Sequence, residues 1–408
     1  MKVAIIGAGA SGCFCAISLK RKCPQADIHI FESSSHPLAK LALTGGGRCN
    51  LTNSFREVNS LSKVYPRGEK FMKCALRMFG WDDTMKWFKR EGINLKIQDD
   101  QRVFPCSDNA MEIVGLLRNL IRKENINLHL SYQVSMVEKM DDGQYKISFA
   151  DSNLQDFQSE YVVISCGGMH PRHFLRSLGL DLLPPVPSLF AINLSESGLT
   201  TLAGITIEGA SVAIAGTKYC SSGNILITHW GLSGPCILKL SSYAARFLAD
   251  NRYKAPLRIN WMGESNDEIV RTELMNMFLS QPRKHLESVF PHKMPNRLWR
   301  YILGRCNLKT DMLCCALNTK QLNRLVDTLT RDVYMISGQS RNKEEFVTCG
   351  GVSFSNVNIR TLECIRYPHL YFTGEILDID AVTGGFNLQA AWTSAFVAAD
   401  SIAGKMLL

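Results

Sequence analysis

The hydrophobic pattern opens with a short unbroken apolar run, Val3-Ala4-Ile5-Ile6, which stops at Gly7-Ala8-Gly9-Ala10-Ser11-Gly12. After a helical interval it resumes at Ile28-His29-Ile30-Phe31-Glu32. Apolar runs bounded by glycine read as strands buried on both faces, so this stretch predicts a βαβ unit. Helices are expected within 69–92, starting near Asp82 or Asp83 and stopping at Gly92. Met111, Val114, Leu117, Leu120 and Ile121 recur at helical spacing and predict a helix over 110–123. Short strands follow near 128–137 and 145–149, around the turn Asp141-Asp142-Gly143. Tyr161-Val162-Val163-Ile164-Ser165 reads as another buried strand and ends in Cys166-Gly167-Gly168.

Beyond Pro184-Pro185-Val186-Pro187 the pattern changes. Residues 188–262 read as short alternating strands with Gly-rich turns, as in an antiparallel barrel or sandwich. Ser265 to Arg331 reads as helical. Ser265 and Glu268 form a capping box, Val270, Leu274, Met277 and Phe278 form a stripe, and Leu322, Leu325, Val326 and Leu329 mark a final helix. From 346 to 408 the chain returns to α/β character, with the strand His369-Leu370-Tyr371-Phe372 and an Ala-rich terminal helix.

Composition narrows the class. A chain of 408 residues can bury a sizeable core in two or three domains, and no apolar run reaches membrane-spanning length. Fourteen scattered cysteines, with no CxxC pair and no secretory signal pattern, predict reduced thiols and a cytoplasmic location. The net charge of +9 is concentrated: residues 281–331 hold ten Lys or Arg against three acids, a local net of +7. Phe290, Trp299 and Tyr301 interleave with those bases, so the segment is read either as a solvated face or as a surface for an anionic partner.

The glycines carry the candidate chemistry. Gly7 lets the strand turn, Gly9 lets backbone amides approach a pyrophosphate, and Gly12 lets the helix lie close to the sheet. Glu32, twenty residues past Gly12, stands where an acid accepts ribose hydroxyls. A second cluster, Gly45-Gly46-Gly47 followed by Arg48 and Cys49, suggests close approach of backbone to a ligand, with Arg48 available to a phosphate or a developing negative charge. Thr228-His229-Trp230-Gly231 reads as a loop lining a site or as a structural turn. Thr383-Gly384-Gly385-Phe386-Asn387 opens the terminal helix and can stabilise an anionic group. Glycine edges at both ends of the chain imply one discontinuous nucleotide-binding domain with an insertion between about 190 and 345.

Taken in order, the segments GAGASG, LTGGGRCNLTN, RVFP, THWGLSGP, VTCGGV and TGEILDIDAVTGGFN resemble the bacterial FAD-dependent oxidoreductases. That family includes aminoacetone oxidases, bile-acid-inducible oxidoreductases and a ribosomal RNA dihydrouridine synthase. The resemblance implies an α/β fold: a split, glutathione-reductase-like Rossmann domain for FAD over 1–190 and 345–408. A β-barrel-like insertion would span 191–262 and 332–344, with a basic helical domain over 263–331. It further implies that Gly7, Gly9 and Gly12 receive the FAD pyrophosphate and Glu32 the adenosine ribose. Gly374 and Glu375 would reach the ribityl chain, and Gly384, Gly385, Phe386 and Asn387 the pyrimidine side of the flavin, with Gly45, Gly46, Gly47 and Arg48 also at the cofactor.

No second GxGxxG unit lies in the insertion, so NAD(P)H is expected only as a transient co-substrate. The expected reaction is reduction of uridine to dihydrouridine in ribosomal RNA, bound through 281–331, with Arg48, Cys49 and His229 as candidate acid or oxyanion support. The alternatives are redox turnover of a small amine, ketone or steroid-like molecule, and a flavin-containing RNA-binding assembly factor without turnover. No oligomeric state follows from the sequence.

Overall fold

The computed structural model describes residues 1–168, 174–175, 178–195, 198–264, 266–340 and 347–407. They divide into two compact units, Met1–Pro187 with Phe346–Leu408, and Ser188–Glu345.

The first unit is built on a five-stranded parallel sheet in the order Leu370–Phe372, Tyr161–Ile164, Lys2–Ile6, Asp27–Glu32, Asn127–Leu130. Its central strands are the continuous apolar runs of the sequence. Ile5 pairs between Val163 and Ile30, and all three are fully buried, as a sheet covered on both faces requires. One cover is a helix pair, Ala10–Lys22 against Phe386–Met406, with the Phe14 and Trp392 rings 5.4 Å apart. Residues from the two ends of the chain therefore share one core.

Smaller sheets flank this one. Thr52–Asn53, Arg102–Pro105 and Leu95–Ile97 form one, and Val134–Lys139, Tyr145–Phe149 and Phe157–Ser159 form a meander. The strand expected near 128–137 is thus two strands in different sheets. Val347–Val352 is itself a strand beside Leu182–Ser188. The helix Ala110–Lys123 buries Ile113, Val114, Leu117, Leu120 and Ile121, whereas Met111 from the expected stripe is exposed.

The second unit holds a closed six-stranded barrel, ordered Ile192–Leu194, Gly231–Ser233, Cys220–Ile227, Thr206–Ile214, Ala255–Asn260, Asp332–Gln339. Every neighbouring pair is antiparallel, and period-two burial along Asp332–Gln339 fills the interior. Not all of 188–262 is strand: Pro235–Tyr243 and Ala245–Asp250 are helices, started by Pro235 in the first turn and burying Cys236, Ile237 and Leu240 in the barrel's core cluster.

Helices Asp267–Ser280, Asn296–Arg305 and Thr319–Arg331 join the last two barrel strands. Ser265 of the expected capping box lies outside the described residues, and the cap is Asn266, accepting from the Glu268 N–H. Trp299 is fully buried, its indole N–H donating to the Leu286 carbonyl at 2.7 Å, so it does not interleave with the surface bases as expected.

The edge of the parallel sheet carries a titratable pair. His29 Nδ1 lies 3.0 Å from His129 Nε2, and His29 Nε2 lies 3.0 Å from Asp27 Oδ1. Burial and the neighbouring His29 both lower the His129 pKa. The unfolded chain then binds that proton more tightly, so stability is complete above the ordinary imidazole value of about 6.5 and is lost as pH falls below it. His129→Phe, which keeps a ring against Phe31, is expected to reduce the drop in urea midpoint between neutral and mildly acidic buffer; an unchanged drop would assign it to other groups.

Candidate nucleotide and redox site

Two cradles stand in the first unit. The first is the turn between the strand Lys2–Ile6 and its helix. A Cβ on Gly7 would lie 2.7 Å from the Cys166 Cα, and one on Gly12 would lie 2.0 Å from the Gly7 carbonyl oxygen. Both glycines are therefore demanded by the protein's own packing. Gly9 is different. Its φ is −80°, which any residue adopts, and no protein atom lies within 4 Å of where its Cβ would stand. The open space above Gly9 is what a backbone-bound ligand would occupy.

Electrostatics favour an anion there. Helix Ala10–Lys22 starts without a side-chain cap or an acidic residue in its first turn, and Ser11 Oγ is buried with no partner. By contrast, the helices at 110, 267 and 319 are capped by Asn109, Asn266 and Asn318. Free N–H groups at a helix start suit phosphate oxygens. Glu32 accepts from the Ala8 N–H at 2.8 Å and the Ser34 N–H at 2.9 Å, which holds its carboxylate beside the glycine turn. Glu32 Oε1 also accepts from the Ser33 and Ser34 hydroxyls at 3.3 and 2.9 Å, so a ribose hydroxyl would take the second site on Oε2 or displace one of these serines.

The second cradle joins the two glycine clusters. The helix Ala39–Gly47 breaks at Thr44, and Gly45, Gly46 and Gly47 take φ of 60°, 69° and 81°. A side chain in that left-handed region costs about 1–2 kcal/mol, and three in succession account for the triple glycine without a ligand. The chain then runs through Asn50 to Asn53 beneath Gly384 and Gly385. Asn53 Nδ2 donates to the Gly384 carbonyl at 3.1 Å, the Asn50 amide oxygen accepts from the Gly385 N–H at 2.9 Å, and a Cβ on Gly385 would lie 2.3 Å from the Thr52 carbonyl oxygen. Asn387 closes the loop by accepting from the Ala381 N–H and donating to its carbonyl, both at 2.9 Å. Helix Phe386–Met406 starts here, again without a side-chain cap or first-turn acid.

The two cradles are linked through Gly374. A Cβ on Gly374 would lie 2.8 Å from Ser11 Cβ, and the Gly374 N–H donates to Ser394 Oγ at 2.9 Å. The helices run in parallel, with Lys22 paired to Asp400 at 2.5 Å. Phe386 precedes Ser394 by eight residues, so the second helix start lies about 12 Å beyond the first at 1.5 Å per residue. That spacing suits a ligand carrying a phosphate group and an electron-accepting ring on a flexible chain.

Other candidates are placed as follows. The Glu375 carboxylate accepts from the Thr348 N–H at 2.7 Å and from Lys40 Nζ at 2.6 Å. Arg48 lies over the Phe104 ring, 4.4 Å from its centroid, with Asp108 Oδ1 4.0 Å from its Nη1. Cys49 is fully buried in a left-handed conformation, and burial pushes its thiol up to about 12 against a smaller opposing hydrogen bond from Thr44. His229 is exposed on the loop between two barrel strands of the second unit. Tyr65 and Arg67 were not singled out in the sequence: Tyr65 Oη donates to the Phe386 carbonyl at 3.0 Å, and Arg67 forks onto Asp380. Both partners lie more than three hundred residues away, beyond any local pattern.

The family model for the HI0933-like protein Rossmann domain matches residues 1–401. The chain belongs to this family. HI0933-like proteins are FAD-dependent oxidoreductases. The ribosomal RNA dihydrouridine synthase of Escherichia coli (strain K12) is 30% identical over 418 residues, covering 98% of each chain. The 3-dehydro-bile acid delta(4,6)-reductase of Clostridium scindens is 27% identical over 419 residues, covering 99% of each. Among solved structures, the 3-ketosteroid-delta4-(5alpha)-dehydrogenase of Rhodococcus jostii RHA1 matches with a TM-score of 0.51 at 13% identity, over 98% of this chain and 96% of that one. Among the described residues no two cysteines form a disulfide, no cluster could hold a metal ion, and no helix is long and apolar enough to cross a membrane.

The different reasons for Gly9 and Gly12 separate in a binding experiment. Gly12→Ala is expected to cost about 2 kcal/mol or more of folding stability, since helix or turn must shift. Gly9→Ala is expected to cost no more than about 1 kcal/mol, the usual loss at a helix cap. Gly9→Ala also weakens FAD binding by about tenfold or more, roughly 1.4 kcal/mol. Denaturation of the apoprotein and FAD titration read the two effects; equal FAD affinity in Gly9→Ala and wild type would remove the ligand role.

Proposed function

We propose that this HI0933-like protein reduces a uridine of ribosomal RNA to dihydrouridine, with NAD(P)H as electron source. The observation that carries the choice of substrate is the charge of the second unit. Arg283, Lys284, Lys293, Lys309, Lys320 and Arg324 are exposed and have no carboxylate partner among the described residues. Arg300, Arg305 and Arg331, by contrast, are paired with Glu287, Asp332, and Asp267 and Asp327. With Trp299 buried and Phe290 and Tyr301 packed against the core, this surface offers charge rather than stacking faces. It suits the phosphate backbone of RNA. The E. coli relative that carries this activity in its name supports the same reading.

In this proposal the Gly9–Ser11 amides and Ser11 Oγ hold the FAD pyrophosphate, with Gly7 and Gly12 shaping the turn, and Glu32 holds the adenosine ribose. Gly374 and Glu375 flank the ribityl chain. The Gly384–Asn387 loop, supported by the Gly45–Gly47 turn, lies at the pyrimidine edge of the flavin. Bound FAD supplies two-electron chemistry, the hydride that saturates the pyrimidine C5=C6 bond. The protein must stabilise charge developing on the uracil carbonyl and deliver one proton to the neighbouring carbon. Arg48, held on Phe104, supplies the positive charge. Cys49, buried and a weak acid, is poorly suited to deliver that proton.

The 27% identical 3-dehydro-bile acid delta(4,6)-reductase favours a second reading, reduction of a carbon–carbon double bond in a small polycyclic acid. The single carboxylate of such a substrate calls for one basic contact rather than six exposed, unpaired bases. Deleting the gene is expected to remove dihydrouridine from ribosomal RNA, and wild type restores it; unchanged dihydrouridine would overturn the proposal. Neutralising Lys309, Lys320 and Arg324 together is expected to flatten the salt dependence of RNA binding by about 2–3 in log–log slope. Reduction of bound FAD by NAD(P)H should be untouched in that variant, and RNA that leaves reduced FAD unoxidised in wild type would favour an assembly factor without turnover.

A further inference from the structure

The loop Ile379–Asn387 is splinted from outside the two glycine clusters. The segment 64–68 runs beside it. The Val382 N–H donates to the Val64 carbonyl at 2.9 Å, Arg67 pairs with Asp380 as an isolated antiparallel bridge, and a Cβ on Gly68 would lie 2.7 Å from Ile379 Cγ1. The side chains reinforce the backbone. Arg67 forks onto both oxygens of a fully buried Asp380, and buried Tyr65 donates to the Phe386 carbonyl at 3.0 Å, just inside the helix start.

A buried ion pair is a poor source of stability, because desolvation offsets most of its attraction. Its geometric effect is clearer: a bidentate fork fixes both position and rotation of the loop it grips. Arg67 also cancels the charge of a buried carboxylate four residues before Gly384.

We infer that Tyr65 and Arg67 are positioning residues that aim the Phe386 and Asn387 amides of the helix start at the electron-accepting ring and so stabilise its reduced, anionic form. The inference rests on the reading that FAD occupies this site. Tyr65 acts through the Phe386 carbonyl, and Arg67 acts through Asp380 by holding the loop and neutralising that carboxylate. Neither residue is assigned contact with substrate or a proton to deliver.

The test compares wild type, Tyr65→Phe, Arg67→Lys and Arg67→Met as FAD-loaded full chains. Dye-coupled titration gives the midpoint potential, and fluorescence titration gives the affinity for oxidised FAD. Losing one such hydrogen bond is expected to weaken reduced relative to oxidised flavin by about tenfold in Tyr65→Phe, a fall of about 30 mV for a two-electron couple. Arg67→Met falls further, and Arg67→Lys, which keeps the charge and loses the fork, lies between Arg67→Met and wild type. Affinity for oxidised FAD stays within about threefold of wild type in Tyr65→Phe. If Arg67→Met does not fold, Tyr65→Phe and Arg67→Lys still decide. Wild-type potentials in both overturn the positioning role, whereas a wild-type chain that takes up no FAD overturns the underlying site reading instead.

Discussion

The seating of Gly385 on the Asn50–Thr52 backbone is the contact on which the first unit depends. A Cβ there would lie 2.3 Å from the Thr52 carbonyl, so the close approach exists only because the residue is glycine. Once seated, the terminal helix is gripped along its first turns. Gln389 accepts from the Thr52 and Thr84 hydroxyls, and Trp392 donates to the Leu51 carbonyl. Its side chains then pack against the first helix, with the Phe14 and Trp392 rings 5.4 Å apart. Two segments more than three hundred residues apart thereby complete one core.

Uncapped helix starts are costly unless something meets them, since each leaves N–H groups without an intrahelical partner. Ala10–Lys22 and Phe386–Met406 both start so after glycine and with no first-turn acid, whereas Ala110–Lys123 of the same unit is capped by Asn109. With the unpartnered Ser11 hydroxyl and the close-packed glycine turn, these starts offer a physical account of why an FAD-dependent family uses this frame. In the proposed reading the positive ends would meet phosphate at one cradle and the flavin ring at the other. The basic helices belong to the second unit and enter only the proposal for the substrate.

Much of this was legible in the sequence where the determinant is local. Apolar runs ending in glycine marked the parallel strands, alternation marked the barrel, and i, i+3, i+4, i+7 spacing marked the helix Thr319–Arg331. The helices at 235–250 were missed because Pro235 and a run of Ser and Ala follow barrel strands without a clear period. Trp299 misled because proximity in sequence to Arg297 and Arg300 says nothing about which helix face it occupies. Arg67, Tyr65 and Gln389 were invisible for a different reason: their meaning lies in partners on distant segments, and nothing in the adjacent residues encodes those.

The central claim is that the two cradles hold a single FAD. A crystal structure of the FAD-loaded protein tests it most directly. Expected are pyrophosphate oxygens within about 3 Å of the Gly9–Ser11 amides and the flavin pyrimidine edge at a similar distance from the Phe386 and Asn387 amides. A flavin bound with its ring away from that second loop, or a pyrophosphate that leaves the space above Gly9 empty, would contradict it.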